Sequence, residues 1–423
     1  MGLIYHEALA SYFFHDDFHW LQGARLFEAA NLVRLDRYDH FYRPVVEVYF
    51  YLGQRVFGCA PLPFHLLSIG IHLLTTLVLF LFARTLTGGL AFASLATVLF
   101  AVQPGYVQAV AWIGAITDLL PALWYLLALW MHLLFLQGRG RRFYALSMTA
   151  FAICLLTHES SATLLVMMVA LELLLMVEGT GGSRGPALRV EMALAGRVLW
   201  TRLPKYVPFA VLLAAYLALE YVVSNRSYLV REGHYALGWH AVPNVMHYLI
   251  SLAVWQRMAT AYVVIAVVLA ALLVGGGHRV RFFVVWILVT LAPVSFFTWG
   301  NASRYLYLPA AGFALLLSEL LLAGERVAAR YIPPRSARAL VIVVAAALAV
   351  RFAVFAEQGA EGFREGTRPY ERLAAALQQP AAAPPRDGVV YVESFDVYGI
   401  PEIYVDPAAQ TILCTPDVHV VIR

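Results

Sequence analysis

The sequence predicts an all-α polytopic membrane protein: about ten transmembrane helices, then a small β-rich C-terminal appendage. Three observations predict it. Of the 423 residues, 61% are hydrophobic and 13% charged. The mean hydropathy of +0.71 lies outside the range of ordinary soluble domains. The apolar residues fall in runs along the whole chain, and the positive charge in the gaps between them alternates from loop to loop.

A membrane helix needs roughly 20 apolar residues. Spans are expected near 64–84, 86–103, 117–136, 143–157, 161–177, 206–223, 259–274, 281–298, 305–323 and 339–356. The shorter runs, 143–157 and 161–177, must tilt, or break where they line a cavity. Loops assigned to the inside carry Arg84; Arg139, Arg141 and Arg142; Arg184, Arg189, Arg197, Arg202 and Lys205; Arg279 and Arg281; and Arg326, Arg330, Arg335 and Arg338. The outside loops carry only Arg226, Arg231, Arg257 and Arg304. This bias places residues 1–63 and 357–423 outside the cytoplasm, flanking a membrane core at 64–356. No signal peptide or span precedes the exported first segment, so either the first span inserts with its N-terminus outside or, as is expected here, a further helix lies upstream.

The net charge of +4 sits largely in inside loops. It reads as topology and lipid-headgroup contact, not nucleic-acid binding. Cys59, Cys154 and Cys414 are isolated and offer no metal-ligand spacing. Cys59 and Cys414 both fall outside, where a disulfide can form, although nothing in their spacing asks for one. Residues 179–186 read as a flexible inside loop and 380–385 as a linker, with strands expected at 389–393 and 403–406.

The outside segments hold the chemistry. His15-Asp16-Asp17 puts two carboxylates side by side at the edge of a chain built for lipid. Such a pair suits proton transfer, or caps the helix that starts near Phe18. Residues 18–34 have the spacing of an amphipathic helix lying along the membrane surface. Arg43 beside Pro44 can clamp a phosphate, or snorkel at the interface. Gln103-Pro104 breaks a helix at its outside end, and Gln108, Trp112 and Asp118 follow. His158-Glu159 sits on a very short turn between spans, facing a ligand or simply solvent. Arg304, Tyr305 and Tyr307 enter another span, as site residues or as an anchored aromatic belt. Glu172, Glu220 and Glu319 lie mostly toward inside ends, where snorkelling or helix pairing accounts for them.

Six motifs in order carry a resemblance: Phe14-His-Asp-Asp17; Tyr42-Arg-Pro44; Phe64-His-Leu-Leu-Ser-Ile-Gly-Ile-His72; Phe100-Ala-Val-Gln-Pro104 with Ala109-Val-Ala-Trp-Ile113 and Asp118-Leu-Leu120; Leu155-Leu-Thr-His-Glu159; and Arg304-Tyr-Leu-Tyr-Leu-Pro-Ala-Ala-Gly-Phe313. Together they resemble the membrane core of the TMTC-type O-mannosyltransferases, within the GT-C class of polytopic glycosyltransferases, over about residues 12–320. The family usually has His-Pro at Gln103-Pro104, Glu at Gln108 and Lys-Glu at His158-Glu159, and a tetratricopeptide array where this chain has its small tail. Only Lys205 among the 30 basic residues is a lysine, which with the missing repeats points to a bacterial relative whose site faces the periplasm from the inner membrane.

The resemblance implies a GT-C-like bundle that transfers a hexose from a polyprenyl-phosphate sugar, with inversion, to a protein Ser/Thr or a glycolipid. It implies Asp16 as general base with Asp17 orienting it, and Arg43, His158 and Arg304 on the donor phosphate. Tyr42, His72, Gln103, Gln108, Asp118, Glu159, Tyr305 and Tyr307 would bind or support the substrate. Some GT-C enzymes use a divalent metal; none is expected here, since no acidic cluster beyond Asp16-Asp17 argues for one. Two other readings remain open: a transporter or flippase for a lipid-linked substrate, and an inactive family member acting as a scaffold.

Overall fold

The computed structural model describes residues 4–35, 41–179, 188–225, 227–253, 258–377, 389–392, 399–414 and 418–422. Most of the 179–186 loop and all of the 380–385 linker lie outside these residues. Among the described residues, seven helices are long and apolar enough to cross a membrane: Pro61–Thr87, Ile113–Leu136, Glu159–Gly179, Trp200–Ser224, His278–Phe296, Ser303–Ala328 and Pro334–Leu377. An eighth is made if Leu90–Ala101 and Pro104–Ala111, bent by 44° at their break, count as one span. All ten expected spans fall on helices; those at 143–157 and 259–274 are the shorter Arg141–Leu155 and Ala259–Gly275.

Local chemistry sets the ends that matter. Pro61 occupies the first turn of Pro61–Thr87, where its missing N–H costs nothing. Gly88 closes that helix in the left-handed conformation (φ 69°), its N–H on the Arg84 carbonyl at 2.9 Å. The break at 102–104 follows from Pro104, and Gln103 caps the next turn by accepting from the Gly105 N–H. Gly312 lets two spans touch: a Cβ there would lie 2.6 Å from Trp286 Cδ1. Gly312→Val is expected to cost about 1–3 kcal/mol by overpacking. Thermal unfolding in detergent checks it, and an unchanged Tm would mean that Trp286 swings aside freely.

The acids inside the bundle are paired. Glu172 accepts from Lys205 and from the Tyr206 hydroxyl, joining two helices as expected. Glu220 departs from the inside placement. It lies under the outer layer, where it accepts from the Tyr42 N–H at 3.1 Å.

The outer layer corrects two readings. The surface helix expected over 18–34 is Asp16–Arg25, followed by a short 3-10 turn, Ala29–Val33. Its apolar face does not lie on lipid. Phe18 and Leu21 are fully buried, and Trp20 stacks on Phe50 of the Pro44–Phe57 helix at 5.4 Å. At its end, Arg25 donates to the Gln410 carbonyl, so the chain turns away under the tail. The strand expected at 403–406 is helical instead. Val405, Ala408, Ala409 and Ile412 form one buried stripe at helical spacing. The strand expected at 389–393 is present as Val389–Val392. It pairs in parallel with His419–Ile422, in the register Val389 to His419. A parallel pair needs a crossover, and the Val405–Ile412 helix lies within it.

The last span runs on well past the expected 339–356, as Pro334–Leu377. Its outer half buries Ala356, Ala360, Tyr370 and Leu373, and Phe363 and Tyr370 meet Phe14 edge-on. Tyr12 donates its N–H to Thr367. Cys59 and Cys414 are joined in a disulfide, fastening the tail to the loop before the Pro61–Thr87 span.

Candidate active site

A cavity of about 870 Å³ opens at the end of the bundle that the charge bias assigns to the outside. Six expected site residues line it: Asp16, Arg43, Asp118, His158, Arg304 and Tyr305. They come from five separate stretches of chain. Asp16 is in the first turn of its helix, and Arg43 immediately precedes Pro44. Asp118 follows the broken span, His158 caps the turn at Glu159–Thr163, and Arg304 lies in the turn at Ser303–Leu306.

The adjacent acids are separated by their environments. Asp16 faces the cavity and accepts a hydrogen bond from the Tyr404 hydroxyl at 2.6 Å. Asp17 is buried, with Oδ2 accepting from the Phe14 N–H at 2.8 Å. Burial pushes its carboxyl well above the usual carboxylate range, although the Phe14 and Gly114 N–H groups pull the other way. A Cβ on Gly114 would lie 2.7 Å from Asp17 Oδ1, so the loop needs glycine there. Asp17 thus bonds the backbone beside the site, and the Tyr404 hydroxyl bonds Asp16. Neither acid is the N-cap. His15 is, with φ 45°, strained for a residue with a side chain. Asp17→Ala is expected to destabilise the protein by about 1–3 kcal/mol, because the buried Phe14 N–H loses its acceptor. It should leave turnover per folded molecule nearly unchanged, which parallel Tm and rate measurements would check.

The positive side of the cavity is held by paired charges. Arg43 grips Glu159 with two bonds, Nε to Oε2 at 3.0 Å and Nη2 to Oε1 at 2.7 Å, over the Phe41 ring. His158 Nδ1 accepts from the Ser160 N–H at 3.1 Å, so the ring is neutral and its proton sits on Nε2. That Nε2 lies 3.1 Å from Arg43 Nη2 and 3.5 Å from Glu159 Oε1. Arg43 Nη2 and the His158 Nε2–H thus both face Glu159 Oε1, whose charge sits between them. Arg304 lies over Trp112 and Tyr305, with Nε 3.4 Å from Asp118 Oδ2 and Nη2 donating to the Tyr305 hydroxyl. Gln108 Oε1 accepts from the Arg304 N–H at 3.4 Å and the Ser303 hydroxyl at 3.3 Å, steadying that turn from behind.

Seven expected site residues do not line this cavity: Asp17, Gln108 and Glu159, whose contacts are given above, and four that bond elsewhere. The Tyr42 hydroxyl is turned to the Leu32 carbonyl. His72 and Tyr307 bond each other at 2.7 Å in the core. Gln103 is spent on Gly105 and the Leu252 carbonyl. The wall also holds His19, Glu47, Trp299 and Tyr404, which the sequence reading missed. His19 and Glu47 follow Asp16 and Arg43 at i+3 and i+4, so helical spacing signals both. Nothing local signals Tyr404, 388 residues from its partner.

No family model matches the sequence. The fold aligns with the crystal structure of ArnT from Cupriavidus metallidurans bound to undecaprenyl phosphate. That match covers 99% of this chain and 83% of that one, with a TM-score of 0.57 at 13% identity. The archaeal oligosaccharyltransferase AglB from Archaeoglobus fulgidus, in complex with an inhibitory peptide and a dolichol-phosphate, matches with a TM-score of 0.48 at 12% identity. That match covers 88% of this chain and 55% of the other. The fold is thus of the GT-C kind, an integral multi-pass membrane bundle. In sequence, an 87-residue stretch, 21% of this chain, is 37% identical to Protein O-mannosyl-transferase Tmtc1 of Drosophila melanogaster. The match covers 10% of that relative's length. Over that stretch the chain is TMTC-like.

Proposed function

We propose that the protein is a membrane glycosyltransferase moving a hexose from a polyprenyl-phosphate donor to an acceptor hydroxyl, with inversion at the anomeric carbon. The observation that carries this reading is the single cavity that gathers Asp16, two arginines and His158 from across the chain. Asp16 takes the proton of the acceptor hydroxyl as its oxygen attacks the anomeric carbon. The bond from that carbon to the phosphate oxygen breaks, and the polyprenyl phosphate leaves with the electron pair. Arg43, Arg304 and the Nε2–H of His158 stabilise the charge that grows on it. Asp118 and Glu159 hold the two guanidinium groups in place. Similarity to a named O-mannosyltransferase and to the fold of an undecaprenyl-phosphate-bound protein supports the donor class. The charge bias supports an inner-membrane protein with its site toward the periplasm.

The test is direct. Proteoliposomes of the full chain, given radiolabelled polyprenyl-phosphate hexoses and a membrane extract as acceptor source, should release polyprenyl phosphate and label the extract. Failure with mannose, glucose and galactose donors alike would sink the reading. Transport of the intact labelled lipid between leaflets, without transfer, would favour the flippase.

A further inference from the structure

Tyr404 belongs to the C-terminal tail, yet it reaches the chemistry. Its hydroxyl donates to Asp16 Oδ1 at 2.6 Å. Its ring lies parallel to His15, centroids 4.9 Å apart at 5°, and His15 in turn stacks on Phe14 at 3.7 Å. His15 holds φ 45° and ψ −113° while making this stack. Strain in a residue next to a candidate base persists only when the surroundings over-determine it. Here those surroundings are Phe14 on one face and Tyr404 on the other. The tail is itself pinned at three points: Gln22 to Gln410 at 2.9 Å, Arg25 to the Gln410 carbonyl at 3.0 Å, and the Cys59–Cys414 disulfide. A segment this firmly tied delivers one hydroxyl to one carboxylate oxygen.

We propose that Tyr404 is a positioning residue: it locks the Asp16 carboxylate in one rotamer and leaves its second oxygen to receive the acceptor's proton. The inference rests on the glycosyltransferase reading for its catalytic consequence, though not for the contact itself. A carboxylate bonded at one oxygen is restrained in its rotation, which favours one orientation of the second oxygen. Preorganisation of this kind acts on turnover more than on donor binding.

The test uses the full chain in proteoliposomes. Tyr404→Phe keeps the stack on His15 and removes only the hydroxyl. Its kcat is expected to fall roughly ten-fold, with the donor KM unchanged. In an Asp16→Asn background the same change should cost nothing further, because the group it positions is already gone. Wild-type kcat in Tyr404→Phe, or multiplicative losses in the double variant, would overturn the proposal. So would a rise in kcat, which would make Tyr404 a plug occupying the acceptor's place. A second measurement is independent of transfer. Water-soluble carbodiimide labelling of Asp16, read by mass spectrometry, should quicken in Tyr404→Phe. Equal rates would mean that Tyr404 does not hold Asp16, whatever the enzyme does. If the wild type transfers no sugar, the glycosyltransferase reading fails, while the labelling still decides the contact.

Discussion

Asp16→Asn is expected to lower hexose transfer by about 100-fold or more, the usual worth of a positioned general base. The substitution is nearly isosteric. The amide oxygen can still accept from the Tyr404 hydroxyl, so the helix start and the tail contact should survive. What disappears is the capacity to take a proton. Expression and Tm should therefore stay close to wild type while kcat collapses. Activity within about threefold of wild type would remove Asp16 from the mechanism. The contrast with Asp17→Ala sharpens the result. The neighbour is buried and bonded to Phe14, so its loss should register in stability and not in turnover. If the two variants exchanged phenotypes, the division of labour between the acids would be reversed.

Arg304→Ala carries the second large effect, also about 100-fold or more in transfer, because a donor aimed at developing phosphate charge is lost. Three contacts go with it: the Trp112 ring, the Tyr305 ring and hydroxyl, and the pairing with Asp118. Arg304→Lys keeps the charge but cannot reproduce a planar fork lying between two rings. It is expected to fall between alanine and wild type. Binding of undecaprenyl phosphate to the purified variants separates clamp from scaffold. Arg304→Ala should bind it more weakly than wild type. Normal binding and normal transfer would move the clamp to Arg43 and His158, whose side-chain nitrogens lie 3.1 Å apart.

Much of this protein was legible in the sequence because lipid imposes a one-dimensional rule. A span must be long and apolar, so the ten runs could be read directly, and each lies on a helix. The Gln103-Pro104 break was equally legible, since a missing N–H acts wherever proline stands. The outer layer obeys no such rule. The 18–34 segment has an apolar stripe that fits a membrane surface or a protein partner equally well. Only Phe50 and the tail determined that it packs on protein and ends at Arg25. The 403–406 stretch looked extended because four residues are too few to separate a strand from a helix turn. The stripe through Ile412 made it helical.

The site divides along the same line. By itself the sequence determined the residue types and the end of the bundle they occupy, because charge bias and adjacent acids are properties of the chain. Tertiary structure alone decided which of them meet. It turned Asp16 into the cavity and Asp17 out of it, although they are neighbours in sequence, because consecutive residues on a helix point about 100° apart. It kept His72 and Tyr307 in the core, where each satisfies the other. It brought Tyr404 to Asp16 across nearly the whole chain, through a fold that closes its two ends on each other. Local pattern cannot encode such a contact; only the packing of the last helix and tail against the first loop creates it.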